Sequence, residues 1–591
     1  MGPKTRRRNT SPDEYIAEDE DENMEEFILD DFLSDEESTS RRSLRNGRKT
    51  KAPTGTRKKA SIEDNTASPS ETHEKRPVSS TRGRLSRLNG ASEQSPRKVY
   101  SKGQEEKIMY TYGTDESTFQ QGKSLVNTWK QYETAPGATC FEKGPMFAEI
   151  DSDGFQQSSK KKQNFIAFEN QFGDFSNNNI PLLIGNQEPV YYLQPHQIFD
   201  DESRHSLRKG YLVNTGIHVS SLSWLPTTEE AQYVAVGGLL QSGELAGSIF
   251  TPTSGRNQIQ IWKLIKEKEL SLYCTVWHDW GSIYQLQWCP CVFKEDVLGY
   301  LGIVTSDGII RVVNVPRKLT HKNIFISEAE YMLQLPNCLI SCFSWVLSGA
   351  EFPKQLLVGC SNGYIALWDI FDSNNGPLFY IPIHDSYIHM ITQCSNEFPT
   401  MFITTAYDCY TRLIDIRNPE FENKALSHKR DICYAVAWSN LLQSIISSTE
   451  SQLVMIESIR GLTTQILDER HGSVMCLGTS RLHPFVAIGS SDGIVTVINP
   501  FRLLGFSHKH RANVHRIFQL EYSEKESKYR FSNNFRPGLT KSRKLDMYIF
   551  PWQIQINCTE WNPNYSHGGW LASGMACGLL RLEDLSAIHR S

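Results

Sequence analysis

The chain has 591 residues, of which 39% are hydrophobic, with 12 Trp, 23 Tyr and 28 Phe, enough to fill one large core or several smaller ones. Its net charge of −5 conceals two opposed blocks: residues 13–37 hold fourteen Asp/Glu and no Lys or Arg, and residues 41–102 hold seventeen Lys/Arg against five acids. No apolar run approaches the roughly 18 residues of a membrane helix, the basic residues 1–9 lead into no apolar segment of a secretory signal, and thirteen scattered Cys point to reduced, core-filling thiols.

Residues 1–160 are rich in Ser, Thr and charged residues and poor in β-branched and aromatic clusters. Such a composition buries too little apolar area to offset chain entropy, so the span is expected to be a disordered tail, an acidic block followed by a basic one. Residues 24–33 mix acidic and apolar side chains, either as a peptide that folds on a partner or as a solvated acidic stretch. Ser34, followed by Asp35, Glu36 and Glu37, is an acidic-context phosphoacceptor, and Ser11, Ser68 and Ser95 each precede Pro. In the basic block, Arg82-Gly83-Arg84 has the form of a minor-groove hook: Gly permits close approach and the two Arg reach the base acceptors. Leu85 stands where a full hook carries Pro, and the block equally suits phosphate attraction or nuclear import through residues 4–8 and 57–59.

Residues 161–210 form a transition. Residues 164–168, 189–193 and 211–213 are three strand candidates, one of which would supply the outer strand that closes a ring with the last repeat. From 211 to 591 a single pattern recurs six times clearly and a seventh time weakly. An alternating strand, often ending in Trp, is followed by a strand of small residues, an Asp-Gly-like turn and a second alternating strand. Residues 283–288 with the turn Asp307-Gly308, and residues 340–345 with Asn362-Gly363, are the clearest copies; the fifth, around residues 433–456, is the weakest. Asx-Gly turns suit tight hairpins because they accept positive φ. Repeats of roughly 40–60 residues with this content predict an all-β fold, a seven-bladed WD40-type β-propeller. His278, His384 and His471 each precede a first strand and are expected to support turns by hydrogen bonding.

Two insertions break the regularity. Residues 238–257 are rich in Gly and Ser and interrupt the first repeat; residues 499–545 separate the sixth from the seventh. Between residues 501 and 544 the second insertion carries eleven Lys/Arg against three acids, interleaved with Phe501, Phe506, Phe518, Tyr522, Tyr529, Phe531 and Phe535. Basic and aromatic residues together bind nucleic acid by phosphate contact and base stacking; they equally suit an acidic protein surface, or a loop whose aromatics pack back on the propeller. Arg502, Lys509, Arg511 and Arg516 are therefore candidate contacts to DNA or a partner, alongside Arg82, Gly83 and Arg84. His508, His510 and His515, and Cys289-Pro290-Cys291, lack the paired spacing of a structural zinc site. With no nucleophile elbow, phosphate loop or paired-acid motif, the chain is expected to have no catalytic residues, cofactor or metal.

Several strings resemble the WD-propeller subunit of transcription factor IIIC, from its B-block-binding half. Tyr233-Val234-Ala235-Val236-Gly237-Gly238 with Asn257-Gln258-Ile259-Gln260-Ile261-Trp262 looks like that family's first blade. His278-Asp279-Trp280-Gly281 with Leu286-Gln287-Trp288-Cys289-Pro290 is similar to its second, and residues 568–581 to its last; the similarity spans about residues 190–585. The resemblance implies a nuclear, non-enzymatic scaffold subunit of a general RNA polymerase III factor that supports recognition of internal tRNA-gene promoters. It also implies a second propeller subunit and a large promoter-binding subunit as partners, with auxiliary DNA binding. The blades alone leave open a chromatin or ubiquitin-ligase adaptor that binds a peptide or histone tail.

Overall fold

The computed structural model describes residues 101–132, 147–150 and, from 163 to 586, all but short gaps, the longest being 168–178, 201–209, 240–248, 506–512 and 540–548. Apart from a parallel pair between Ala148–Ile150 and Cys291–Phe293, the strands form seven sheets of four to eight strands arranged as a β-propeller. Their first strands, in chain order, are His218–Trp224, Ile283–Trp288, Ile340–Val346, Ile388–Ser395, Val436–Ser439, Val474–Gly478 and Ile556–Trp561. A sheet stacked between two neighbours has no solvated face. Strands can therefore be buried along their whole length, as in Ile340–Val346 and Val297–Thr305. The turn glycine Gly363 adopts φ +85°, and a Cβ there would collide with the His384 carbonyl.

Three recurring devices join neighbouring sheets. The first is the tryptophan that ends a first strand. The Trp288 indole N–H donates to the Ser223 carbonyl at 3.1 Å, Trp345 to Gln287 at 3.3 Å and Trp224 to Glu560 at 3.2 Å. Each acceptor is the residue just before the tryptophan of the preceding sheet, so a buried donor that would be costly unpaired is satisfied across the interface. The last of these bonds links the final sheet to the first.

The second device is a β-bulge. In the first strand of six sheets the pairing skips one residue, between Val219 and Ser221, Ile283 and Gln285, Ile340 and Cys342, Ile388 and Met390, Val474 and Cys476, and Ile556 and Cys558. The skipped residue aims its side chain at the neighbouring sheet. Ser220 donates to the Ile283 carbonyl at 2.6 Å, His389 Nε2 to Cys433 at 2.6 Å, Asn557 to Val219 at 2.7 Å, and Ser341 to Ile388. The short first strand of the fifth sheet begins at Val436, past the corresponding position, which is why that repeat is the faintest in the sequence.

The third device is a glycine in the small-residue strand. A Cβ on Gly237, Gly359, Gly489 or Gly574 would lie 2.8, 2.8, 2.7 or 2.4 Å from a methyl of Ile283, Ile388, Ile556 or Val219. Each of those β-branched residues immediately precedes a bulge and fills the space left by the missing side chain.

The ring closes as one of the three candidates required. Gly210–Asn214 pairs antiparallel with Leu579–Asp584, Val213 opposite Leu580 and Tyr211 opposite Leu582. The other two candidates go elsewhere: Ile166–Ala167 pairs with Asn323–Phe325 at the outer edge of the first sheet, and Gln187–Leu193 pairs with Ile180–Ile184 at the outer edge of the sixth.

The expectation of disorder through residue 160 fails at its C-terminal end. Helices α1 (Lys102–Tyr112) and α2 (Glu116–Trp129) lie inside that span. Ser101 and Gln104 form a capping box at the start of α1. Helix α2 buries Phe119, Val126 and Trp129, whose spacing places them on one face. Together with Ile108 and Tyr112 they join a core containing Leu442 and, from the short helix α3 (Phe501–Gly505), Phe501 and Leu504. The Tyr112 hydroxyl donates to the Leu441 carbonyl at 2.8 Å, and Asn499 to the Trp129 carbonyl at 2.9 Å. Composition averaged over a long charged span hides so short an amphipathic pair.

Gly574→Ala is expected to destabilise the fold by about 1–3 kcal/mol through overpacking against Val219, and Gly103→Ala, with open space around it in the first turn of α1, to stabilise it by up to about 1 kcal/mol; chemical denaturation compares them. Stability should also vary with pH through Glu560. Burial pushes its carboxyl up to about 8, while its side chain accepts the Trp224 backbone N–H at 2.9 Å. The folded state then holds a proton that the unfolded chain releases above its usual value of 4.5, so stability falls as pH rises from there towards 8. Glu560→Gln should flatten that fall in unfolding curves measured across the range.

Candidate interaction surfaces

The basic-aromatic insertion at 499–545 is not a loop between sheets. Asn513–Ser523 pairs antiparallel with Ile494–Ile498 as the fourth strand of the sixth sheet. Lys528–Ser532 folds back on it, Ile180–Ile184 adds in parallel outside, and Arg536–Leu539 pairs with its start. Phe501, Phe518 and Phe531 are fully buried, which removes them as stacking platforms. Tyr522 and Tyr529 are half-buried, with ring centroids 4.7 Å apart. Phe506 and Phe535 lie outside the described residues.

Of the cations singled out, Arg516 is exposed on the fourth strand and donates to Gln519 at 3.1 Å, and Arg502 is half-buried on α3. Lys509, Arg511, Arg82, Gly83, Arg84 and Ser34 lie outside the described residues. On the hairpin, Arg530 pairs with Glu521 and Lys528 with Glu526 at 3.2 Å, so part of its positive charge is balanced locally.

The histidines before the first strands divide. His384 is fully enclosed, with Nδ1 2.8 Å from Asp408 Oδ2 and Nε2 2.8 Å from Thr404 Oγ1. Burial works against the Asp408 carboxylate, but hydrogen bonds from His384 and the N–H groups of Tyr410 and Asp385 hold its pKa below the usual value. His278 Nδ1 accepts the backbone N–H of Trp280 at 3.2 Å, and its ring stacks on the Trp280 indole at 4.7 Å; burial, then the Arg311 charge, push it down to about 3. His471 is exposed, with its carbonyl accepting from Gln452. Beside it the buried Arg470 pairs with Asp468 at 2.7 Å and bonds Thr496, placing an ion pair where the other repeats place an imidazole.

Cys289 and Cys291 are buried with sulfurs 3.3 Å apart, and His515 is buried on its strand, while His508 and His510 lie outside the described residues. Among the described residues no three His, Cys, Asp or Glu side chains gather as metal ligands.

Sequence reasoning missed an aromatic cluster at the end of the propeller where the first strands begin. Tyr387 stacks on Tyr407 at 5.2 Å, His389 lies 5.5 Å from Tyr407, and Phe250 meets Tyr387 edge-on at 5.9 Å. The available signal was the recurrence of Tyr at the second position of a repeat, in Ile283-Tyr284 and Cys433-Tyr434.

A closed ring of stacked sheets, each of four or more strands, places the chain in the β-propeller class. No family model matches the chain. It is 47% identical to transcription factor tau subunit sfc6 of Schizosaccharomyces pombe, with all of both chains covered. It is 27% identical over 401 residues to the transcription factor tau 91 kDa subunit of Saccharomyces cerevisiae, a match covering 64% of this chain and 58% of that one. The chain belongs to this family of transcription factor tau subunits.

Arg516→Glu should change folding stability by no more than about 0.5 kcal/mol, since an exposed charge contributes little. Phe518→Ala on the same strand should cost about 3–5 kcal/mol by opening a cavity. Denaturant titration of both variants separates the surface face of this strand from its core face.

Proposed function

We propose that this chain is the non-catalytic scaffold subunit of a general RNA polymerase III transcription factor, acting in the nucleus. A seven-bladed propeller supports recognition of internal tRNA-gene promoters through protein–protein contacts, and the basic segments add auxiliary DNA binding. The observation that carries this reading is the 47% identity to a transcription factor tau subunit along the full length of both chains. The blade count rests on the seven sheets of four or more strands, each with its first strand against its neighbours. The partners are the other subunits of a transcription factor IIIC-like complex, including a second propeller subunit and a large promoter-binding subunit. An adaptor for histone tails or degrons has no comparable support.

Purification of the tagged full chain from nuclei tests the proposal. Co-elution of a complex that binds tRNA-gene promoter DNA is the expected result; recovery with a ubiquitin ligase or chromatin complex, and no promoter binding, would sink it. Within the assembly, Arg82→Gln, Arg84→Gln and Arg87→Gln should together make log affinity for promoter DNA fall less steeply with log salt, by about 0.9 in slope for each phosphate that is no longer neutralised. An unchanged slope would assign those residues to import or protein contacts.

A further inference from the structure

We propose that the end of the propeller where the first strands begin carries a docking site for an arginine- or lysine-bearing segment of a protein partner, formed by Tyr284, Tyr407 and Tyr434 with Asp385 and Asp431 and backed by the buried Tyr387. This goes beyond the scaffold role, which names no binding surface on the ring.

Register places these residues at one end of the sheets. Ile388 pairs with Ala406, so Tyr387 and Tyr407 adjoin just outside that pair, and the Tyr407 N–H donates to the Tyr387 carbonyl at 3.0 Å. Tyr284 is the skipped residue of the second sheet's bulge, and Tyr434 stands just before the fifth sheet's first strand. The four phenols lie close enough to raise one another's pKa: Tyr407 acts on Tyr284 and Tyr387, and Tyr434 on Tyr407, in each case adding to burial. Phe250, 59% exposed, extends the cluster from the first sheet's insertion.

The chemistry selects a cation. Tyrosine faces attract guanidinium and ammonium groups, and a planar guanidinium also stacks on them. Carboxylates border the rings: Asp385 is exposed, and Asp431 is close enough to raise the Tyr434 and Cys409 pKa values further above their burial shifts. A nucleic acid would bring phosphates against Asp385 and Asp431, so a basic protein segment is the occupant that fits.

The test is fluorescence anisotropy of the full chain with a short labelled peptide alternating Arg and Ser, against a counterpart with Glu in place of Arg. The Arg peptide should bind and the Glu peptide should not. Tyr407→Ala and Tyr434→Ala should each weaken binding about tenfold, and Asp385→Asn with Asp431→Asn should do the same while lowering its salt dependence. Arg430→Glu, which removes the exposed cation beside Asp431, should strengthen it. The aspartate pair changes charge without removing packed rings and so decides the matter if a tyrosine variant misfolds. Equal binding by wild type and all variants would place the affinity on the acidic residues 13–37 and overturn the proposal, as would equal binding of the two peptides.

Discussion

Everything else in this molecule depends on the fit of a β-branched side chain into the space of an absent one. Val219, Ile283, Ile388 and Ile556 each sit where a neighbouring sheet carries Gly in its second strand, and each is followed by a bulged residue. The bulge turns one side chain out of the pleat and towards the next sheet, where it bonds a carbonyl. Apolar keying and polar bonding thus occupy consecutive residues. The coupling is local to each interface, yet it sets the angle between sheets and so the closure of the whole ring. A tryptophan indole bonded near the other end of the first strand fixes the second point of contact.

With that frame fixed, the flanking segments attach unevenly. The first, sixth and seventh sheets receive extra outer strands from before the first repeat, and the sixth also receives the folded insertion. Outer strands of the third and fourth sheets end the ladder and leave Tyr380 and, just before the latter strand, Phe421 at the surface. Helices α1 and α2 pack against α3 and the first-to-second strand turn of the fifth sheet, a region where the repeat is weakest. The hydroxyl of Tyr112 satisfies a turn carbonyl there, and the helical pair supplies apolar contacts beside a sheet whose own first strand is short.

The repeats were legible because their signals are local. An Asx-Gly turn, a terminal Trp and a run of small residues each arise from a constraint within a few residues, and the need to close the ring called for an outer strand among three candidates without choosing between them. What escaped has a non-local cause. The amphipathic face of α2 has meaning only beside Phe501 and Leu504, far along the chain. The insertion read as a loop because its charges dominate its composition, while the alternation of Ile517, Phe518 and Leu520 with polar neighbours around a strand bend is short and irregular. Beside His471, the buried pair of Arg470 with Asp468 was not foreseen, because an ion pair two residues apart carries no repeat signature. The tyrosine cluster was missed because its members come from separate repeats, and only the recurrence of Tyr in Ile283-Tyr284 and Cys433-Tyr434 hinted at it.

The closing strand precedes the first repeat in the chain and pairs with the last. Thr215, at its end, bonds the Gly578 carbonyl, 363 residues away. During synthesis at roughly 5–20 residues per second, the N-terminal strand leaves the ribosome on the order of tens of seconds before its partner exists. Through that interval the growing array of sheets has two open ends, each a template for pairing with another chain. Closure of the ring therefore waits for the last strand to be made, and the nascent chain has a long window in which it needs shielding that the completed ring does not.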